Sequence, residues 1–474
     1  MPQREPAAAT GGGNVDAVAS PVIRQGGEPM DVPAPVASPT SPAVNEAAIL
    51  GEQLTHQSPV GEDRPRVSAA YIWLVVLATF GSIMALVGPI GYSLSVLIAR
   101  IAPQNQAFLG YVTGVGALVV VLVGPIVGVL SDRTRSRLGR RRPWIIGLTL
   151  VGLAGLLVVS VSSNVWMALL GWAITQFGFG IAALQVTSSM GDRLPESQRG
   201  KVAGLTGVAT MVASVAGVAL ASAFATSNIL IFLVPGVVGA VFILLFAAVI
   251  KEPDMRTAVA PEKVTTGSLA RGYVYNVRQY TDFSWNWLGR FLFNFGVTIA
   301  TTFTTFFFAS KLGLPVAQLG GLVAITSLLG IVCTVGGAAI SGFLSDRLRR
   351  RKSFILIAGV LFAIGAVTAW LAPDLVVLLV GLGILQFGLG IFSAVDQALY
   401  LDVLPEQDTQ AGRFVAINQF STSIPQFAAP LIAPAFLLIG AGSGSPNYGL
   451  LYVIAAGFAL VGGLVILFRV KSVR

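Results

Sequence analysis

From Tyr71 onward the chain returns repeatedly to apolar stretches of roughly twenty residues, the length a helix needs to cross a hydrocarbon layer ~30 Å thick. Twelve such stretches follow one another, at about 71–99, 107–130, 143–162, 165–190, 201–225, 229–250, 283–309, 315–344, 353–371, 375–402, 412–438 and 448–468. One buried helix of a soluble protein can be this greasy, but twelve cannot share one water-facing fold. Charged residues make up only 11% of the chain, too few to clothe a soluble surface of this size. Inside lipid every backbone N–H and C=O must be paired, which leaves helices and closed barrels. Barrel strands alternate apolar and polar residues, and these stretches do not. The expected fold class is an all-α membrane protein of twelve transmembrane helices.

The charges that do occur are ordered. Six arginines lie between Arg133 and Arg142, in GVLSDRTRSRLGRRRPW. A nucleic-acid groove would use them, and so would the wet side of a membrane. Twenty-five lysines and arginines fall in or beside one set of alternate segments, and only Arg100 and Lys311 in the other. That asymmetry places the basic loops and both termini in the cytoplasm of a cell whose plasma membrane holds the chain. It also removes the case for a nucleic-acid partner. Residues 1–66 are of another composition, rich in Ala, Pro, Gly and Ser, and cannot bury enough apolar area to offset their ordering entropy. They are expected to be a disordered cytoplasmic tail.

The chain also repeats itself. Gln176-Phe-Gly-Phe-Gly-Ile181 returns as Gln386-Phe-Gly-Leu-Gly-Ile391, and Asp192-Arg-Leu-Pro-Glu196 as Asp402-Val-Leu-Pro-Glu406, both offset by 210. Gly128-Val-Leu-Ser-Asp-Arg133 returns as Gly342-Phe-Leu-Ser-Asp-Arg347, offset by 214, so the first Arg-rich loop is four residues longer. Two six-helix bundles in parallel orientation follow, 67–250 and 283–474, joined by a cytoplasmic linker, 251–282. Parallel six-helix repeats suggest a transporter with its solute between the halves near the midplane.

Gly128, Leu130, Asp132 and Arg133, followed by Gly139-Arg-Arg141, resemble the signature loop of the major facilitator superfamily. The longer DRTRSRLGRRRPW, with AVDQAL (Ala394–Leu399) and DVLPE, resembles its glycoside and sucrose–proton symporter branch. The resemblance implies that helices one, four, seven and ten line a central cavity. By position that implicates Phe80 and Tyr92; Gln176 and Gln185; Trp287, Arg290 and Asn294; and Gln386, Asp396, Gln397 and Tyr400. Asn418, Gln419 and Gln426 fall on helix eleven, where the halves meet. Aromatic faces and amides suit a sugar, although single amides in such helices more often tie neighbouring helices together. The resemblance further implies a cytoplasmic gate of Gly128, Asp132, Arg133, Gly139, Arg141 and Asp192, repeated in the second half as Asp346, Arg347 and Asp402. The second loop lacks the glycine.

Two charges lie well inside apolar runs, Arg290 and Asp396. An isolated charge there costs roughly 2.5–3.5 kcal/mol on insertion scales, so such residues pair or face water. Each is seven residues from the expected basic end of its helix, ~10 Å deep at ~1.5 Å per residue. Equal depth predicts an ion pair. The first half carries no comparable buried carboxylate, so proton coupling, if present, rests on Asp396.

The expected activity is proton-coupled uptake of a sugar or glycoside by a monomer whose partners are the solute, protons and the bilayer. An exporter of hydrophobic or cationic compounds is the first alternative, and polar amides in the cavity speak against it. A non-transporting membrane sensor on the same fold is the second. An enzyme is not expected: with one histidine (His56) and one cysteine (Cys333), no catalytic or metal-binding constellation takes shape. No cofactor or metal is foreseen.

Overall fold

A computed structural model describes residues 65–256, 275–406, 411–439 and 446–472. The tail and most of the linker lie outside the described residues. Among the described residues the regular elements are helices. Eleven are long and apolar enough to cross a membrane, and a bent pair of helices makes a twelfth span. The first half comprises α1 (Ala69–Ile101), α2 (Phe108–Asp132), α3 (Arg142–Ser160), α4 (Val165–Arg193), α5 (Ser197–Ala223) and α6 (Leu230–Val249). The second comprises α7 (Thr281–Thr302, resumed as Thr304–Leu312), α8 (Gly320–Leu348), α9 (Arg351–Leu371), α10 (Leu375–Asp402), α11 (Arg413–Leu437) and α12 (Tyr448–Arg469).

Local sequence sets several of these ends. Asn164 caps α4 by accepting from the Met167 N–H at 2.9 Å, and Asp374, 210 residues later, caps α10 from Val377 at the same distance. The eighth span was expected from about 315. Pro315 instead holds an extended backbone (φ −58°, ψ 138°) and a 3₁₀ turn, Val316–Gln318, precedes the helix. The seventh was expected to be continuous, yet it bends by 50° at Phe303. The hydroxyls of Thr301, Thr302 and Thr304 donate back to the carbonyls of Val297, Thr298 and Ala300, the kind of bonding that bends helices. Two helices carry a π turn, at Pro89–Ser93 in α1 and at Gln176–Gly180 in α4. The matching QFGLG of α10 stays α-helical.

Without a hydrophobic drive between helices in lipid, close packing must come from small residues. Gly178 of α4 presses on Gly152 of α3, and its repeat mate Gly388 presses on Phe362 and Ala358 of α9. Gly81 meets Gly239 between α1 and α6, and Gly289 meets Gly462 between α7 and α12.

The halves touch at the end opposite the Arg-rich loops. There the Tyr92 hydroxyl donates to the Ala317 carbonyl at 2.6 Å, Thr305 Oγ1 to the Gly91 carbonyl at 2.9 Å, and the Tyr448 hydroxyl to Gln106 Oε1 at 2.6 Å. Gly114 of α2 lies against the Phe427 carbonyl and Leu431 of α11. Prolines at 425, 430 and 434 lie inside α11, which stays helical through them. Pro434 cannot donate to the carbonyl of Pro430, and Gly110 of α2 lies against that carbonyl.

Candidate gate and coupling site

The Arg-rich end of the first half is organised around one buried cation. Arg141 is only 4% exposed. Its guanidinium meets Asp132 Oδ1 at 2.5 Å and Asp192 Oδ2 at 3.3 Å. It also donates to Ser131 Oγ at 3.2 Å and Gln185 Oε1 at 3.3 Å. Arg140 takes the other oxygen of Asp192 at 2.6 Å. The loop is strapped from above by the chain leaving α6. Glu252 Oε2 accepts the Arg141 backbone N–H at 2.9 Å, and the Met255 N–H reaches the Ser136 carbonyl at 3.3 Å. Gly139 runs beneath Glu252 at φ +92°, where a Cβ would both strain the backbone and strike the glutamate.

The second half repeats the arrangement. Arg351 meets Asp402 Oδ2 at 2.5 Å and Asp346 Oδ1 at 3.1 Å, and donates to the Ala398 carbonyl at 3.0 Å. The expected cation, Arg347, is exposed, as is its counterpart Arg133. The counterpart of the buried Arg141 is Arg351, and register is why. The 214 offset holds only up to the loop, and beyond it the offset is 210, which carries Arg141 onto Arg351. The shorter second loop turns through Arg349 at φ +52°, a left-handed position without a glycine that costs about 1–2 kcal/mol.

Deeper in the second half, Arg290 and Asp396 come together. Arg290 Nη1 approaches Asp396 Oδ2 to 2.8 Å, with the two residues 6% and 3% exposed. The contact is off the hydrogen-bond axis, and Asp396 Oδ1 and Arg290 Nε have no hydrogen-bond partner. The guanidinium stands 5.7 Å over the ring of Tyr400, itself buried. One turn further along, Phe293 stacks on Phe392 with centroids 3.6 Å apart, fixing α7 against α10.

The amides divide. Gln185 accepts from Arg141 and so joins that cluster. Trp287 donates its indole N–H to the Ile417 carbonyl at 2.9 Å, tying α7 to α11. Asn294 Nδ2 donates to the Arg290 carbonyl at 2.9 Å. Gln176 is buried beside Gly116 with its Oε1 unpartnered, and Gln386 lies half-buried beside the matching Gly330. Gln397 is half-buried. Asn418, Gln419 and Gln426 are buried on α11, and Asn418 Oδ1 and Thr422 Oγ1 have no partner. Two aromatic candidates turn elsewhere: Phe80 packs edge-on against Phe242 of α6, and Tyr92 bridges the halves. Sequence reasoning missed Arg140, Ser131, Glu252, Arg351 and the fully buried Asn286.

Residues 72–341 and 332–474 match the sequence profile of the Major Facilitator Superfamily. The General alpha-glucoside permease of Schizosaccharomyces pombe is 28% identical over 125 residues, 26% of this chain and 20% of that protein. Inositol transporter 4 of Arabidopsis thaliana is 34% identical over 109 residues, 23% of this chain and 18% of that protein. The chain thus spans about a fifth of the length of these curated relatives. Among solved structures, a mutant form of the nucleoside transporter NupG superposes with a TM-score of 0.67 over 85% of this chain and 100% of that one, at 13% identity.

Proposed function

The chain belongs to the major facilitator superfamily, and from that premise we propose that it moves a sugar or glycoside by proton-coupled alternating access. Residues 67–250 and 283–474 act as the two rocking bundles, with 251–282 as the linker. The solute binds between them near the midplane. The basic end faces the cytoplasm, with both termini on that side, in the plasma membrane. With that orientation, contact between the halves at the far end corresponds to the inward-facing state. The protein works as a monomer without a cofactor.

One observation carries the coupling: the buried contact of Arg290 with Asp396, made between two helices and short of full hydrogen bonding. A solute hydroxyl that engages Arg290 draws it from Asp396. A carboxylate parted from its cation holds a proton more tightly, so substrate and proton load together. Release inward of both re-forms the pair. Asn418 Oδ1 and Thr422 Oγ1, one turn apart on α11, retain unused capacity for sugar hydroxyls. The names of the yeast and plant relatives, an alpha-glucoside permease and an inositol transporter, support a polyhydroxylated solute. The Arg141 and Arg351 clusters serve as paired inner gates, one per half.

The test is uptake into proteoliposomes from a panel of sugars under an imposed pH gradient. One or more sugars should accumulate. Asp396→Asn should lose accumulation while retaining exchange of the same sugar. Gradient-driven accumulation by Asp396→Asn would remove Asp396 from the coupling role.

A further inference from the structure

Asn286 of α7 is 0% exposed, and neither its amide nitrogen nor its amide oxygen has a hydrogen-bond partner. Burying an amide unpaired is costly, so the position calls for a partner that this state does not supply. Its neighbours identify one. Phe293 stacks on Phe392, and three residues back along α7 Arg290 meets Asp396, four residues on along α10. One more turn of the two antiparallel helices sets Asn286 level with Leu399 and Tyr400. Asn286 and Arg290 are four apart and so share a face of α7. Helical side chains lean toward the helix N-terminus, which carries the Arg290 guanidinium over Asn286 and away from Asn294. Asn294 is already engaged, through the Arg290 carbonyl.

Arg290 has few other places to go. Among the described residues of α7–α12 and the turns beside them, Asp282, Asp346, Asp374, Asp402 and Glu406 lie at or beside helix ends, and Asp396 is the carboxylate at this depth. The Arg351 side chain is held by Asp346 and Asp402. A guanidinium released from Asp396 therefore has the Tyr400 ring on one side and an unused amide oxygen below it.

We infer that Asn286 is the second seat of Arg290: its Oδ1 accepts the guanidinium whenever Asp396 is neutral or otherwise engaged. In transport this makes Asn286 a positioning residue, a role that rests on the coupling proposed above. It lets Arg290 shuttle one turn along its own helix instead of standing unpaired in the bundle.

The seat can be tested without a substrate, by thermal melting of the full chain in detergent. Asp396→Asn strands Arg290 and should lower Tm. Adding Asn286→Asp should restore most of the loss, because a carboxylate then waits at the second seat. Asn294→Asp in the same background should not. Asn286→Leu should leave the wild-type Tm unchanged or raised, yet lower that of Asp396→Asn further. If Asp396→Asn alone yields no folded protein, recovery of monodisperse protein by Asn286→Asp is the expected result. If it melts like the wild type, the second seat already suffices, and adding Asn286→Leu must lower Tm. Absent rescue by Asn286→Asp, equal rescue by Asn294→Asp, or a purely additive Asn286→Leu overturns the inference. None of these outcomes touches the coupling role, which stands or falls on accumulation by Asp396→Asn.

Discussion

Arg141 and Arg351 hold matching pairs of carboxylates, but burial separates them: their side chains are 5% and 26% exposed. Truncating Arg141 also strips a donor from buried Gln185 and Ser131, a loss of about 2–3 kcal/mol. Truncating Arg351 breaks a wetter pair, worth about 1 kcal/mol or less. Arg141→Gln should therefore depress Tm clearly more than Arg351→Gln, and equal effects would show that the two clusters are not graded by burial. These residues also show what a sequence exposes. Arg290 and Asp396 were legible because charge in lipid is costly wherever it appears. Arg351 was hidden by a register change inside the very loop used to align the repeats. Asn286 was hidden because an amide in a span has no energetic signature until its neighbours are known.

The twelve spans were legible to within a few residues because bilayer thickness dictates them. Departures came from side-chain chemistry within the span: threonines bonding back along α7, and Pro315 delaying α8. The glycines of α2 carry a further message. Gly110 and Gly114 are filled by α11, whereas Gly128, and its repeat mate Gly342 on α8, face open space on the side a Cβ would occupy. A glycine with nothing against it is spare in this state and fits a helix that arrives in another. Gly128→Leu should leave this state intact but block closure of the basic end. Gly114→Leu should do the reverse. Spin-label distances across each end, with and without a transported sugar, check both. Normal closure of the basic end in Gly128→Leu would show that no helix docks there.

At the scale of the molecule, the charge asymmetry predicts that a reporter fused after Arg474 is cytoplasmic and one inserted near Ser163 is external. An external C-terminus would reverse the orientation and with it the direction the open end faces. Removing residues 1–60 should spare insertion and transport, and failure to insert would reveal an element in that segment. The prolines of α11 bear on how such a molecule moves. Each deletes one rung of the backbone ladder, so the carbonyls of Ser421, Gln426 and Pro430 lose their usual donors within about three turns. Mechanically, three such gaps make α11 a leaf spring, where α2 and α6 have one internal proline each. Bending it is cheap, and it forms one wall of the seam where the halves meet, opposite the Arg-rich loops. That end can then peel open along this compliant strip, without six helices tipping in unison. Hydrogen–deuterium exchange reads such softness directly: amides between 421 and 437 should exchange faster than those of α12, which carries no proline. Equal protection would make α11 as stiff as α12, and opening a rigid tilt of the whole half.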